Sequence, residues 1–182
     1  MTTARTEPGR TPSLAHTHAA QCRIDSPTVA DGPHLWRIAR DSDVLDLNSP
    51  YSYLLWCRDF ADTSVVARDP EGRPVAFVTG YLRPEEPGTL FVWQVAVDAA
   101  HRGLGLAAAL LDTLSARVAE ASRLDRVETT ITPGNTPSEH LFRSYAARHG
   151  AAVACEVLFA PTDFPPPGHQ TEVLYRIGPM AA

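Results

Sequence analysis

Apolar residues recur at three- and four-residue spacing in four stretches of the chain, a pattern typical of helices with one buried face. The predicted helices end near residue 40, span about 50–61, run from about 106 to 122, and span 136–150. Three of them carry capping signals at their starts. These signals are Thr28 with Asp31, Ser49 with Pro50, and Thr136 with Pro137 and Glu139.

Shorter apolar runs, bounded by Gly, Pro and Asp, predict strands between these helices. Six runs qualify: 64–68, 74–82, 89–98, 126–132, 153–159 and 172–177. The segment 160–169 contains too much proline for either element and predicts a stiff loop of a kind that often covers a site. Helices that alternate with strands indicate an α/β (α+β) protein.

The 182 residues, of which 44% are hydrophobic, can form one substantial core and hardly two. Residues 1–21 are poor in large apolar side chains, so we expect a disordered N-terminal tail followed by one domain over 22–182. No apolar run suits a secretory signal or a membrane span. These features predict a cytoplasmic protein with no membrane partner.

The charges and the potential metal ligands argue against two kinds of function, nucleic-acid binding and metal binding. The net charge is −5, and acidic and basic residues are interspersed along the chain, whereas binding to a nucleic acid would require a basic face. The three cysteines are widely separated, and no pair of histidines has the spacing of a metal motif. We therefore expect reduced thiols, no bound metal and no nucleic-acid partner.

The most informative motif is Arg-Gly-Leu-Gly-Leu-Ala at 102–107, which follows the apolar run 90–97 and begins a helix. Two glycines allow a tight turn and a close approach of the backbone to a ligand. The unpaired N–H groups at a helix start favour an anion, and the helix dipole adds to that preference. The motif predicts a cradle for a pyrophosphate.

Two other interpretations of these glycines are possible. A dinucleotide-binding Rossmann domain has a similar fingerprint, but its glycine loop follows the first strand directly, whereas residues 98–102 intervene here. The acid that such a domain needs about twenty residues later is also missing, because Asp125 precedes its strand and Glu128 lies inside it. Alternatively, the glycines only permit a turn.

The order of strand, Arg-x-x-Gly-x-Ala, helix, strand and a capped helix after Asn135 resembles the GNAT superfamily of N-acetyltransferases over about 23–177. The resemblance implies a GNAT fold, with a mixed central sheet of six to seven strands and about four helices. It also implies acetyl-CoA as co-substrate, with strand residues beside the pantetheine and thioester and the glycine turn on the pyrophosphate. The implied cofactor-binding residues are Val95, Ala96, Val97, Arg102, Gly103, Leu104, Gly105, Leu106, Ala107 and Asn135.

Four longer segments, 44–53, 90–98, 142–145 and 168–179, resemble the L-2,4-diaminobutyrate acetyltransferases of ectoine synthesis. This resemblance implies transfer of acetyl from acetyl-CoA to the 4-amino group of L-2,4-diaminobutyrate. The product, N4-acetyl-L-2,4-diaminobutyrate, is a precursor of a compatible solute that counters osmotic stress. The resemblance also suggests a homodimer that uses its outer strands.

A substrate with two ammonium groups and one carboxylate needs acidic anchors and a wall that fixes which nitrogen reacts. From sequence alone, Asp46 could equally be a solvated acid near a helix cap, and Trp93 a core aromatic. His169 and Glu172 could be surface residues where a loop meets a strand. The substrate-binding candidates are Asp46, Tyr51, Trp93, His169 and Glu172.

We expect the neutral amine to attack the thioester directly in a ternary complex, because no cysteine has an evident base partner. The sequence does not identify the general base. Many superfamily members carry a tyrosine acid where this chain has Phe142, which leaves Tyr145 as a weak candidate acid. Two other functions stay open: a GNAT enzyme for another small diamine or amino acid, and a non-catalytic acyl-CoA sensor.

Overall fold

The computed structural model describes residues 22–42, 45–166 and 168–180, so the predicted tail over 1–21 lies outside the described residues. The described residues contain seven strands and four α-helices, together with four short 3-10 turns. The strands are β1 Arg23–Asp25, β2 Val65–Arg68, β3 Pro74–Arg83, β4 Glu86–Val97, β5 Arg126–Ile131, β6 Ala152–Phe159 and β7 Glu172–Gly178. The helices are α1 Gly32–Arg40, α2 Pro50–Asp59, α3 Leu106–Ala121 and α4 Thr136–Arg148.

All seven strands form one mixed sheet in the order β1-β2-β3-β4-β5-β7-β6. Strands β4 and β5 pair in parallel, and every other neighbouring pair is antiparallel. Side chains alternate between the two faces of a strand. In β2, Val65 is buried with the leucines of α3, whereas Val66 is buried with α1 and α2. The sheet therefore lies between two helical layers.

The central feature of the sheet is the separation of β4 from β5. Their pairing runs from Thr89 opposite Arg126 to Val92 opposite Thr129 and stops there, although both strands continue. On its other side, β4 has a β-bulge: Thr79 of β3 pairs with Gln94, and Gly80 pairs with Val92. Trp93 is the extra residue. The bulge bends β4 and leaves the β5 side of 93–97 without a strand partner.

The structure confirms the four helices and the six predicted strands, apart from ends that shift by one or two residues and four further differences. The predicted cap pair Thr28 and Asp31 lies on the 3-10 turn Val29–Asp31, so α1 begins at Gly32 with Asp31 as its N-cap. β1 was not predicted, and β4 begins at Glu86 rather than at Thr89. The cap of α4 is Asn135, whose side chain accepts a hydrogen bond from the Ser138 amide at 3.2 Å, so Thr136 is the first helical residue. In the described part of the chain, no helix is both long and apolar enough to cross a bilayer.

Candidate active site

Three cavities lie in a row where β4 and β5 separate. The first, of about 240 Å³, is lined by Asp46 and Glu172 among others, and we call it the acidic cleft. The middle one, of about 320 Å³, shares Leu45 and Asn135 with the acidic cleft. The third, of about 250 Å³, lies over the glycine turn, and we call it the glycine cavity. Shared lining residues place the three next to one another, and together we call them the channel.

The glycine cavity has the geometry of an anion site. Gly103 and Gly105 have φ values of +77° and +78°, which L-residues with a side chain adopt at a cost. Gly105 is the N-cap of α3, and its carbonyl accepts the first helical hydrogen bond, from Ala109, at 3.1 Å. The N–H groups of Leu106 and Ala107 thus have no partner within the helix. They can bind phosphate oxygens.

Nine of the ten predicted cofactor-binding residues line the middle or the glycine cavity. Leu104 is the exception, because it is half-buried against the main core. The side chain of Arg102 is exposed at the channel, and its Nε donates to the Val97 carbonyl at 3.3 Å. The guanidinium therefore supplies positive charge beside the unpaired helix amides. The nine are Val95, Ala96, Val97, Arg102, Gly103, Gly105, Leu106, Ala107 and Asn135.

The acidic cleft brings together residues from distant parts of the chain. Asp46 comes from the loop before α2, Glu172 from the start of β7, and Trp93 from the bulge of β4. The indole of Trp93 stacks on Trp56 of α2, with ring centroids 4.6 Å apart and planes at 18°. This stack fixes an apolar wall opposite two carboxylates. The cleft suits a small molecule with positive charge.

His169 joins the two loops that border the cleft. Its Nε2 lies 2.7 Å from Oδ2 of Asp46, and its Nδ1 donates to the Gln170 carbonyl at 2.8 Å. The hydrogen bond with Asp46 raises the pKa of His169 above its ordinary value, and the bond with Gln170 adds to the effect. Phe164 stacks on the imidazole at 4.4 Å. Phe164 and His169 of the proline-rich segment thus lie beside Asp46 without lining the cleft, and that the segment covers the site stays a prediction.

Besides Leu104, three predicted site residues line none of the three cavities. His169 reaches the acidic cleft only through its contact with Asp46. Tyr51 is 65% exposed on the first turn of α2 and lines none of the three cavities. Tyr145 is fully buried between α4 and α3, and its hydroxyl donates to Ser115 Oγ at 2.7 Å. Burial raises the pKa of Tyr145. A phenol enclosed in the core in this way cannot protonate a leaving thiolate in the channel.

Sequence reasoning missed several polar residues that line the acidic cleft. Gln94 carries the clearest signal, because it is the one polar side chain in the apolar run 90–97. A buried amide of this kind requires hydrogen-bond partners, which is a reason to suspect a site. The other three lie in a loop or at the polar end of a strand, where the hydrophobic pattern does not distinguish site residues from ordinary surface residues. The missed residues are Asn48, Gln94, Thr130 and Thr132.

Comparisons with known proteins agree with this geometry. The Acetyltransferase (GNAT) family model matches residues 33–146. An L-2,4-diaminobutyric acid acetyltransferase from Streptomyces anulatus is 68% identical over 158 residues, which cover 87% of this chain and 90% of that protein. The chain belongs to the diaminobutyrate acetyltransferases of the GNAT family.

Further relatives of this acetyltransferase support the assignment. The L-2,4-diaminobutyric acid acetyltransferase of Streptomyces avermitilis is 64% identical over 159 residues, which cover 87% of this chain and 89% of that protein. A diaminobutyrate acetyltransferase from Paenibacillus lautus, solved in complex with L-2,4-diaminobutyric acid and coenzyme A, is 37% identical. It superimposes with a TM-score of 0.83 over 88% of this chain and 96% of that chain. The predicted fold and family are confirmed.

The acidic cleft also contains side chains of the kinds that bind metals. Among the residues that the structure describes, Asp46, His169 and Glu172 have ligand atoms within 4.8 Å of one another. In the structure the two nitrogens of His169 face acceptors on Asp46 and Gln170, so binding of a metal through Nε2 would require loss of its proton and of the hydrogen bond with Asp46. That this acetyltransferase needs no metal stays a prediction.

We expect dialysis against EDTA to leave the rate of acetyl transfer unchanged, because His169 and the two carboxylates act through charge and hydrogen bonds. Coenzyme A release by the dialysed and untreated enzymes is the measurement. An activity that is lost on dialysis and restored by Zn²⁺ or Mg²⁺ would contradict the prediction.

Proposed function

We propose that this acetyltransferase transfers the acetyl group of acetyl-CoA to the 4-amino group of L-2,4-diaminobutyrate, giving N4-acetyl-L-2,4-diaminobutyrate. The reaction is a step of ectoine synthesis, which protects cells against osmotic stress. One observation carries the proposal: a cleft with two carboxylates adjoins, at Leu45 and Asn135, a cavity that itself adjoins the glycine turn. A small diamine and acetyl-CoA can therefore meet inside one channel.

The acceptor end of the channel suits diaminobutyrate. At neutral pH the substrate carries two ammonium groups, and the Asp46 and Glu172 carboxylates attract them. Glu172 is the more enclosed of the two acids, with 16% of its side chain exposed against 77% for Asp46. The carboxylates hold the 2-ammonium group, while the Trp93 wall limits how the chain can extend toward the thioester.

The donor end can stabilise the tetrahedral intermediate of acyl transfer. Residues 93–97 of β4 have no strand partner on the β5 side, and three of them line the middle cavity: Val95, Ala96 and Val97. Backbone N–H groups at such a strand end can donate to the developing oxyanion, often the largest single catalytic term. The same residues lie next to the glycine cavity, which orients the coenzyme.

A panel of amines tests the proposal. Purified enzyme with acetyl-CoA is given L-2,4-diaminobutyrate, L-ornithine, L-lysine or putrescine, and release of coenzyme A is followed. We expect kcat/KM to be highest for diaminobutyrate, and NMR of the product to show acetyl on N4 only. Equal values across the panel would indicate a general diamine acetyltransferase, and release at the rate of background hydrolysis with every amine would indicate a sensor.

Direct transfer predicts intersecting double-reciprocal plots, as a ternary complex requires. Burial raises the pKa of the Cys57 thiol to about 11, which leaves almost no thiolate at neutral pH. Cys155 is exposed on β6 and lines none of the three cavities. Initial rates over a grid of both substrates give the pattern. Parallel lines, with acetyl recovered on either cysteine, would contradict direct transfer.

A cytoplasmic location is a further part of the proposal. It is supported by Cys22, Cys57 and Cys155, which are all free thiols in the structure. Disulfides predominate in oxidising compartments, and free thiols are typical of reducing ones.

A homodimer is the last part of the proposal, with β6 as the contact. β6 is the outermost strand beyond β7, and its exposed apolar residues are Val157, Leu158 and Phe159. A long apolar edge strand tends to pair with another chain, and a two-fold axis would pair β6 with its own copy.

We expect sedimentation velocity to give two chains per particle for the wild type and one for Val157→Lys, because a lysine would bury its charge in the β6 contact. Val29→Lys is the matched control: Val29 is also exposed and apolar, but it lies in a 3-10 turn away from β6. A monomeric wild type, or equal behaviour of both variants, would contradict the prediction.

A further inference from the structure

Asp46 is an exposed loop residue that must be aimed accurately if it is to bind an amine. With 77% of its side chain exposed, almost no packing fixes its position. Its backbone is held instead. The Asp46 carbonyl accepts a hydrogen bond from Gln94 Nε2 at 3.0 Å and another from Asn48 Nδ2 at 3.3 Å. Gln94 lies on β4, so it ties the loop to the rigid sheet.

The orientation of the Gln94 amide determines whether its hydrogen bond to the Asp46 carbonyl can form. With Nε2 toward the Asp46 carbonyl the group donates, whereas a reversed amide would place two oxygens against each other. Tyr53 of α2 fixes the direction, because its hydroxyl donates to Gln94 Oε1 at 3.0 Å. Tyr53 is fully buried, and burial raises the pKa of its hydroxyl, so the phenol stays protonated and continues to donate.

We propose that Tyr53 is a positioning residue for amine recognition: its hydroxyl orients the Gln94 amide, which holds the backbone of Asp46 and so aims the carboxylate. Tyr53 lines none of the three cavities; its hydroxyl bonds Gln94 and also interacts with Asn48, two residues after Asp46 in the same loop. The Asp46 carboxylate, which lines the cleft, then meets His169 Nε2 at 2.7 Å. The inference rests on the proposed function, which assigns Asp46 to the diamine.

The test is Tyr53→Phe, which removes one hydroxyl and keeps the ring. We expect KM for diaminobutyrate to rise about tenfold, a change typical of a buried hydrogen bond that has lost one partner. kcat at saturation and the Kd of acetyl-CoA should stay within about twofold of wild type, because residues 95–97 and the glycine turn are untouched. In a Gln94→Met background, the same substitution should raise KM by less than it does in the wild type, because only the contact of Tyr53 with Asn48 is then left to lose.

Tyr145→Phe is the matched control. Both tyrosines are fully buried, and the Tyr145 hydroxyl is bonded to Ser115, away from the channel. Both variants should lower the melting temperature by similar amounts, but only Tyr53→Phe should raise KM. An unchanged KM in Tyr53→Phe, an equal rise in Tyr145→Phe, or additive effects with Gln94→Met would overturn the proposal.

Two further measurements separate this inference from the proposed function. If the wild type does not acetylate diaminobutyrate, the proposed function fails. If Asp46→Asn raises KM while Tyr53→Phe does not, only the positioning role fails. Should Tyr53→Phe not fold, Gln94→Met replaces it: the thioether cannot donate to the Asp46 carbonyl, and it adds no charge to the cleft that Gln94 lines. A raised KM then supports the proposal, and an unchanged KM overturns it.

Discussion

Gly105→Trp is expected to abolish acetyl-CoA binding. Gly105 has a φ of +78° and lies at the start of α3, and a Cβ built on it meets nothing within 4 Å. A side chain at this position would extend into the glycine cavity rather than into the core. An indole there occupies the space of the phosphates and covers the unpaired N–H groups of the helix. The left-handed backbone adds a cost of about 1–2 kcal/mol to folding.

Gly72→Trp is the control that distinguishes backbone strain from blocking of the phosphate site. Gly72 has a φ of +82° and equally open surroundings, but it lies in the turn between β2 and β3. Both variants should lose similar stability in thermal unfolding. Calorimetric titration with acetyl-CoA should give wild-type affinity for Gly72→Trp and no measurable binding for Gly105→Trp. Wild-type affinity in Gly105→Trp would show that the phosphates bind elsewhere.

Glu172→Gln is expected to lower kcat/KM for diaminobutyrate by roughly 100-fold. The substitution keeps the shape of an enclosed side chain and removes the charge that faces the ammonium group. Loss of one partner from such a charged hydrogen bond costs about 2–5 kcal/mol, and each 1.4 kcal/mol is about tenfold. The Kd of acetyl-CoA should not change, because Glu172 lines only the acidic cleft among the three cavities.

Glu139→Gln is the control for the change in net charge. Glu139 lies on the first turn of α4, forms an ion pair with Arg143, and lines none of the three cavities. Steady-state kinetics with diaminobutyrate should give near wild-type values for it. Equal losses in both variants would indicate a general field effect, and a loss of acetyl-CoA affinity in Glu172→Gln would contradict the assignment of Glu172 to the amine.

The helices could be predicted from the sequence because their signals are local. Ser49 caps α2 through the Ser52 amide, and the leucines of α3 recur at helical spacing. The strand ends depend on partners that the sequence does not reveal. β1 has only three residues and is a strand because it pairs with β2. The Pro-Gly pair at 87–88 indicates a turn, yet both residues lie in β4. Pairing of β4 with β5 begins only at Thr89, so Pro87 interrupts no hydrogen bonds to β5.

The site was predictable where one continuous motif forms it. The turn at Gly103 and Gly105 is a local structure, so its residues line the cavities as expected. The acidic cleft is different, because Asp46 and His169 are 123 residues apart and meet only in the folded chain. Family resemblance identified them, whereas of the two residues that hold Asp46 in place, Gln94 carried a signal as the one polar side chain in its apolar run and Asn48 carried none. Tyr145 shows the limit of spacing arguments: it is on the correct helix, but on the face that packs against α3.

The two ends of the channel share Leu45 and Asn135 but otherwise have different linings, and this division has an evolutionary consequence. Residues 95–97 of β4, the glycine turn and the start of α4 line the donor end, whereas Asp46, Asn48 and Glu172 line only the acceptor end, where His169 contacts Asp46. Loops tolerate substitution and insertion better than the sheet and helices. Descendants of this chain can therefore change their choice of nucleophile by drift in two surface segments, while the use of coenzyme A is inherited intact.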